Sequence, residues 1–287
     1  MPWGTHFAPI QAKQKATEKT EPTACGVRGS VAGIVEDEMA KSEKVRLAAV
    51  GDLHCLKDSQ GALQKLLAEI PPKTDILLLC GDLTDTGLPE EARILAKELK
   101  VAVNIPIVAV LGNHDYHSGK QQEVEAILSE AGITVLNGEA REIKGIGFAG
   151  VKGFPGGYGR GTLAPWGEDL IKQFVHEAIE EALKLESALA KLRTTHRIAL
   201  LHYSPIQATV EGEPLEVYAF MGTSRLEEPL NRYPLTAVFH GHAHHGSLEG
   251  QIANNVPVYN VSLPLLRAKF PDQAPFRLLE IGSGAKE

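Results

Sequence analysis

Residues 75–85 read DILLLCGDLTD, and this stretch gives the most direct indication of the fold. Residues 75–80 are apolar after Asp75, rich in leucine and followed by glycine, which predicts a short strand buried on both faces. Two carboxylates, Asp82 and Asp85, come directly after that strand. Because buried polar groups need partners, carboxylates at this place indicate a site if other strands deliver polar residues to it as well.

Four more predicted strands end in the same way as residues 75–80. They are residues 45–50, 105–111, 197–202 and 235–240, and the residues at or just past their carboxyl ends are Gly51-Asp52-Leu53-His54, Gly112-Asn113-His114-Asp115, His202 and His240-Gly241-His242-Ala243-His244. Any one of these clusters could be turn or packing chemistry. Five of them in one chain are not explained by packing, and metal ions are their natural partners. In α/β sheets ligands bind at this carboxyl edge.

Strands and helices alternate along the chain beyond residue 45, which is typical of an α/β fold. Further apolar runs predict strands at residues 146–151, 256–261 and 276–281, and helical periodicity predicts helices at residues 63–70, 124–131 and 166–192. Two segments, residues 153–167 and 209–234, are predicted as loops. Loops of this length in a domain often line a functional site.

The bulk composition of the 287 residues is that of an ordinary globular protein, with 43% hydrophobic and 23% charged residues. Residues 1–43 lack a sustained apolar period and are predicted to be a poorly ordered or loosely docked extension, followed by one domain over residues 44–287. The net charge of -7 argues against nucleic acid as a partner. The sequence carries no indication of an oligomeric state.

The cellular location is predicted from what the chain lacks. It contains no apolar run long enough to span a membrane and no secretory leader pattern. Three cysteines provide no disulfide framework, which favours a reducing compartment and therefore a cytoplasmic location. Cys55 follows His54 and is interpreted as an apolar filler, with a soft metal ligand as the alternative.

The ordered set of polar clusters resembles the signature of calcineurin-like metallophosphoesterases, and within them the bacterial phosphodiesterase branch. The resemblance extends from about residue 45 to the C-terminus and misses no motif. It implies two mixed β-sheets packed as a sandwich flanked by helices. It also implies two metal ions, with Asp82 bridging both of them. The remaining ligands divide into two sets: Asp52, His54 and His244 for one ion, and Asn113, His202 and His242 for the other.

The chemistry of these residue types agrees with that division. Mixed nitrogen and oxygen ligands suit divalent or mixed-valence transition metals such as Mn, Fe or Zn better than Ca or Mg. The resemblance implies attack on phosphorus by a metal-bridging hydroxide. His114 follows the ligand Asn113 and is predicted to transfer a proton to the leaving oxygen, with Asp85 orienting its ring and Asp115 as the alternative.

A small phosphoester is the predicted substrate, and a phosphodiester is preferred over a monoester. Thr86 stands where protein phosphatases of the superfamily carry an arginine, which argues against that class. Candidate substrate-binding residues are Tyr158, Arg160, Tyr203 and Arg225. A monoesterase on the same site and a non-catalytic metal-binding scaffold are the alternatives, and a zinc-dependent hydrolase of carbon esters or amides ranks below them.

Overall fold

The computed structural model describes residues 44–72 and 74–282, so the predicted extension over residues 1–43 lies outside the described residues. The strands follow one another as β1 (Val45–Val50), β2 (Ile76–Cys80), β3 (Ile107–Val110), β4 (Thr134–Val135), β5 (Glu139–Ile143), β6 (Ile146–Gly150), β7 (His196–Leu200), β8 (Ala237–His240), β9 (Glu249–Gln251), β10 (Pro257–Asn260) and β11 (Arg277–Ile281). The α-helices are α1 (Ala62–Ala68), α2 (Pro89–Ala102), α3 (Asn113–Tyr116), α4 (Gln121–Glu130), α5 (Asp169–Leu189), α6 (Tyr218–Met221), α7 (Ser224–Arg232) and α8 (Leu263–Lys269).

Two mixed sheets are built from these strands. The first has the order β11-β1-β2-β3-β4, and the second has the order β5-β6-β7-β8-β10-β9. In each sheet the central strands run parallel, and antiparallel strands lie at its edges: β11 in the first sheet, β5 and β9 in the second. This architecture, with helices on the outside, confirms the predicted fold class.

The main apolar core lies between the two sheets. It includes Leu47 and Ile76 from the first sheet together with Phe148, Leu200 and Phe239 from the second, all fully buried. Side chains alternate along a strand, so the neighbouring residues of the second sheet point to its other face. There they form a second core with the buried faces of α5 and α7. Parallel strands covered on both faces explain why β2 is apolar at every position.

The segment of residues 209–234 differs from its prediction as a loop, because it contains both α6 and α7. The side chain of Thr223 accepts a hydrogen bond from the backbone N–H of Arg225, which caps the start of α7. Leu226 and Leu230 are spaced by one helical turn and are buried. Pro229 inside α7 and the short length of its apolar stripe concealed this helix in the sequence.

Among the described residues, no helix is both long enough and apolar enough to cross a membrane.

Candidate metal centre

The parallel strands of both sheets have their carboxyl ends at the same edge of the sandwich, and the residues predicted as metal ligands meet at that edge. Oδ1 of Asp82, which follows β2, lies 3.3 Å from Nε2 of His202, which follows β7 in the other sheet. Oδ1 of Asp52, which follows β1, lies 3.1 Å from Nε2 of His244, which follows β8. We call the seven predicted ligands the ligand cluster: Asp52, His54, Asp82, Asn113, His202, His242 and His244.

Asp82 occupies the middle of the ligand cluster, and its two carboxylate oxygens face different partners. Oδ1 lies 3.3 Å from Nε2 of His202 and accepts the backbone N–H of His114 at 2.8 Å. Oδ2 lies 3.9 Å from Nε2 of His54 and 4.0 Å from Nε2 of His114. Only a side chain with two oxygens can turn toward both groups in this way, so Asp82 has the position that a bridging ligand requires.

The donor atoms of the ligand cluster lie close enough to share ions. Three groups place one atom from each member within 4.8 Å of the others: Asp52-His54-His244, His54-Asp82-His114 and Asp82-His202-His242. Oδ1 of Asn113 is 2.7 Å from Nε2 of His202 and so joins the third group. Among the described residues, neither buried ring nitrogen of His54 has a hydrogen-bond partner of good geometry. Buried ring nitrogens without a hydrogen-bond partner are available to bind a metal ion. Imidazole and carboxylate ligands suit the transition-metal ions that the sequence predicts.

The electrostatics favour the metal-binding form at Asp52, His54 and His242, whereas the hydrogen bond with Asp52 raises the pKa of His244 and favours its protonated form. Burial would raise the pKa of Asp52, but the hydrogen bond with His244 and the nearby histidines outweigh it and lower that pKa. Burial, together with the neighbouring His202, lowers the pKa of His242 to about 3. Burial also lowers the pKa of His54. At neutral pH these residues are therefore an ionised carboxylate and two neutral imidazoles.

Four members of the ligand cluster have a left-handed backbone although none of them is glycine. Their φ angles are 58° for Asp52, 45° for His54, 47° for Asp82 and 70° for His242. This conformation is sterically costly for residues with a Cβ and is concentrated at functional sites. The turn after β3 is equally tight, because a Cβ on Gly112 would collide with the backbone N and the carboxylate of Asp82.

His114 and Asp85 lie beside the ligand cluster, as predicted, but they contact each other through an unexpected atom. Nδ1 of His114 is 2.6 Å from the backbone carbonyl oxygen of Asp85, whereas the Asp85 carboxylate is 3.8 Å away. That carboxylate lies closer to His54, at 3.3 Å from its Nδ1. The main chain of Asp85 therefore contacts His114, while its side chain faces the ring of His54.

Asp115 bonds to the turns after β2 and β3 rather than to the ring of His114. Its buried carboxylate accepts the backbone N–H groups of Gly112 at 2.7 Å, Leu83 at 3.1 Å and Thr84 at 2.8 Å, and the Thr84 hydroxyl at 2.6 Å. Burial and the neighbouring Asp82 raise the pKa of Asp115 to about 6, and the hydrogen bonds from Gly112 and Thr84 act against this. The carboxylate thus ties the turn after β2 to the turn after β3.

Asp115→Ala is expected to lower the free energy of unfolding by about 3 kcal/mol, because four donors lose their acceptor in a buried place. Urea unfolding in the presence of chelator measures this effect without a contribution from bound metal. Asp169→Ala is the matched control, since Asp169 is exposed and, within the described part of the chain, its side chain pairs with Lys172 alone. That pair is worth little, so the control should unfold like the wild type. An Asp115 variant as stable as the control would contradict the supporting role.

The four predicted substrate-binding residues occupy different surroundings. The ring of Tyr203 packs against His242 with a centroid distance of 4.6 Å. Tyr158 is buried and its hydroxyl donates to the carbonyl of Ser204. Arg225 donates to the carbonyl of Leu163, and Arg160 is exposed in a short 3-10 turn. Among the described residues, only Tyr203 of the four has a ring or hydrogen-bond contact with the ligand cluster; the substrate assignments themselves stay predictions.

The structure shows the surroundings of His240 and Cys55, two residues near the ligand cluster in sequence that were not assigned as metal ligands. His240 is buried, with Nδ1 2.8 Å from the Gly241 carbonyl and Nε2 2.8 Å from the Thr209 hydroxyl, and burial lowers its pKa to about 4. Cys55 is buried beside the Glu91 carbonyl, and burial raises the pKa of its thiol to about 12. A thiol of this kind stays protonated, which favours its interpretation as an apolar filler.

Two contacts of the site were missed from the sequence. Nε2 of His242 lies 3.1 Å from the carbonyl oxygen of Phe220, and a main-chain contact of this kind leaves no trace in residue type. Lys152 follows β6 at the same sheet edge as the ligands, and its carbonyl accepts the N–H of His202. Its position after a predicted strand was the available signal, but only the structure shows that its side chain is buried.

The sequence and the structure were compared with known protein families, curated proteins and solved structures. The family model described as calcineurin-like phosphoesterase matches residues 45–246, which include the whole ligand cluster. A protein of Arcobacter nitrofigilis named "Probable glycerophosphodiester phosphodiesterase" is 25% identical over 179 residues, covering 61% of this chain and 58% of the relative. A 3',5'-cyclic-nucleotide phosphodiesterase of Nostoc sp. is 35% identical over 86 residues, covering 30% of each chain.

The matched stretches thus span less than two thirds of the length of these curated relatives. Among solved structures, phosphopantetheinyl hydrolase from Mycobacterium tuberculosis superposes with a TM-score of 0.60. The superposition covers 83% of this chain and 96% of that one at 14% sequence identity, so it supports the fold alone.

Proposed function

This chain belongs to the calcineurin-like phosphoesterase family, and from that premise we propose that it hydrolyses phosphodiesters with two transition-metal ions held by the ligand cluster. The observation that carries the proposal is the position of Asp82, whose two oxygens face His202 on one side and His54 on the other. Asp52 and His244 complete the side of His54, and Asn113 and His242 complete the side of His202. One shared carboxylate between two sets of donors is the arrangement that a pair of ions requires.

Metal ions at these residues would supply positive charge to the phosphoryl oxygens and would lower the pKa of a water molecule toward neutrality. The protein's own contribution begins with His114. Because its Nδ1 faces the Asp85 carbonyl, which only accepts, Nδ1 carries a proton. Nε2 is then the atom that faces the ligand cluster, and the ring side chain is 41% exposed, so a substrate can reach it.

His114 therefore serves as the proton donor to the leaving oxygen in our proposal. With Nδ1 committed to the Asp85 carbonyl, Nε2 carries a proton only when the ring is an imidazolium, and that cation is the acid that protonates the leaving group. The Asp85 carboxylate lies 3.3 Å from Nδ1 of His54, and the Nε2 side of that ring faces Asp82. Asp85 thereby positions His114 with its main chain and places its carboxylate beside His54.

A preference for diesters follows from charge and from the relatives. Among the described residues, no lysine or arginine forms an ion pair with the ligand cluster, and Thr86 instead bonds through its hydroxyl to Glu91. A diester carries less negative charge than a monoester and needs less compensation from cationic side chains. The two relatives described above are both named as phosphodiesterases. A cytoplasmic location and the choice among Mn, Fe and Zn remain predictions.

Hydrolysis of bis-p-nitrophenyl phosphate and p-nitrophenyl phosphate, measured side by side, tests the proposed function. We expect turnover of the diester to exceed that of the monoester with added Mn²⁺, and both to disappear with chelator and return on metal addition. Turnover favouring the monoester would replace the diester proposal by a phosphomonoesterase on the same site. Absence of turnover of both compounds in metal-loaded protein would favour the scaffold alternative.

A further inference from the structure

Lys152 is a buried cation beside the metal centre that neither the ligand cluster nor the proton donor uses. It is 7% exposed, and its Nζ donates a hydrogen bond to the Gly153 carbonyl at 2.7 Å. Three aromatic rings surround the same amino group, with centroids 5.0 Å away for Tyr116, 4.9 Å for Phe154 and 5.4 Å for Tyr203. We call Lys152 and these three rings the aromatic box.

The aromatic box contacts one side of the ligand cluster. The Tyr203 ring packs edge-on against His242 at 4.6 Å and against His202 at 5.3 Å. The backbone carbonyl of Lys152 accepts the N–H groups of both His202 and Tyr203 at 3.1 Å. Tyr116 ends the short helix α3, whose first residue is the ligand Asn113.

The opposite side of the ligand cluster has no such support. Within residues 44–72 and 74–282, no ring or hydrogen-bond contact joins the aromatic box to Asp52, His54 or His244. Those three residues contact one another and His114, and Asp52 also accepts the backbone N–H of His242. The aromatic box therefore adjoins only the donors that belong to His202 and His242.

Burying the Lys152 ammonium group costs desolvation free energy, so filling space alone does not explain a lysine at this position. Burial lowers the pKa of Lys152, while the carboxylates of Glu181 and Glu177 act in the opposite direction. A single hydrogen bond leaves two ammonium N–H groups for the rings, and each cation–π contact offsets roughly 0.5–2 kcal/mol of the desolvation. The cation in turn holds the ring of Tyr203 at its position against the two histidines.

We propose that Lys152 is a positioning residue for one metal site of the pair: through Tyr203 and its own carbonyl it fixes His202 and His242, and so sets the metal affinity of their site alone. This inference rests on the proposed function, because it presumes two ions at the ligand cluster. Residues that support ligands in this manner contribute about 10–100-fold to metal affinity. Lys152 thus makes the two sites unequal.

Calorimetric titration of metal-free full-length protein with Mn²⁺ tests the inference without relying on activity. We expect two binding events in the wild type, and in Lys152→Met a weakening of one event by about 10–100-fold while the other is unchanged. Lys184→Met is the matched control. Lys184 pairs with Glu181, the carboxylate that also acts on Lys152, but it lies outside the aromatic box. Both events should be unchanged in that variant. Lys152→Arg keeps the cation and should recover part of the lost affinity.

A second variant covers the case in which Lys152→Met does not fold. Tyr203→Leu keeps the lysine but removes the ring that reaches the histidines, and it should weaken the same single event. Equal weakening of both events, or the same loss in Lys184→Met, would overturn the inference and leave Lys152 a general structural residue. Wild-type protein that binds fewer than two ions would instead refute the proposed dinuclear site, so the two failures are distinguishable.

Discussion

Asp82→Ala is expected to lose bound metal and phosphodiester hydrolysis together. Asp82 is the member of the ligand cluster whose oxygens face both sets of donors, at 3.3 Å from His202 and 3.9 Å from His54. Loss of a residue that only supports a ligand costs about 10–100-fold in metal affinity, so loss of a ligand shared by two sites should cost more than that at each. Hydrolysis should fall to the level of chelator-treated wild type.

Metal content after gel filtration and the rate with bis-p-nitrophenyl phosphate measure the two effects on one sample. Asp169→Ala serves again as the control, because it removes an exposed aspartate without touching the site. Asp82 also accepts the backbone N–H of His114, so circular dichroism should accompany the measurement to verify folding. A folded Asp82→Ala protein that retains two ions and turns over the diester would rule out the bridging assignment.

His114→Ala is expected to keep its metal while losing about 10²–10⁴-fold in kcat, the usual contribution of a general acid. His114 lies beside the ligand cluster, and its Nδ1 is held by the Asp85 carbonyl at 2.6 Å. A side chain that donates a proton without binding an ion should leave metal affinity intact. The contrast with Asp82→Ala therefore separates metal binding from proton transfer.

The matched control for this variant is His117→Ala, since His117 is an exposed histidine on the following turn. Its rate should equal that of the wild type. A leaving group of low pKa needs little protonation, so the deficit of His114→Ala should shrink for activated aryl diesters compared with alkyl diesters. A uniform deficit across leaving groups, or a wild-type rate, would mean that His114 is not the proton donor.

The fold and the meeting of the seven predicted ligands at one sheet edge could be inferred from sequence because both depend on local patterns. Buried parallel strands such as β2 are continuous apolar runs, and the residue after each run is automatically at the sheet edge. Strands whose residues are polar gave no such signal. β5 (EAREI) is largely exposed, and β9 has three residues, so neither shows an apolar run.

The details of the site could not be inferred because they depend on contacts between distant parts of the chain. That Asp85 reaches His114 through a carbonyl follows from the path of the turn after β2, which residue type does not encode. Two of the three rings around Lys152 come from distant segments, carrying Tyr116 and Tyr203, and only Phe154 is close to it in the sequence. Sequence periodicity indicates which face of a single helix or strand is buried, but it does not indicate which distant residues contact that face.

The left-handed backbone at Asp52, His54, Asp82 and His242 has an evolutionary consequence. Each of these positions costs on the order of 1 kcal/mol, and together they take up a sizeable part of the roughly 5–15 kcal/mol by which a typical domain is stable. Glycine would adopt the same conformation without that cost. A lineage released from selection for a function at this site would therefore relieve backbone strain by exchanging these residues for glycine.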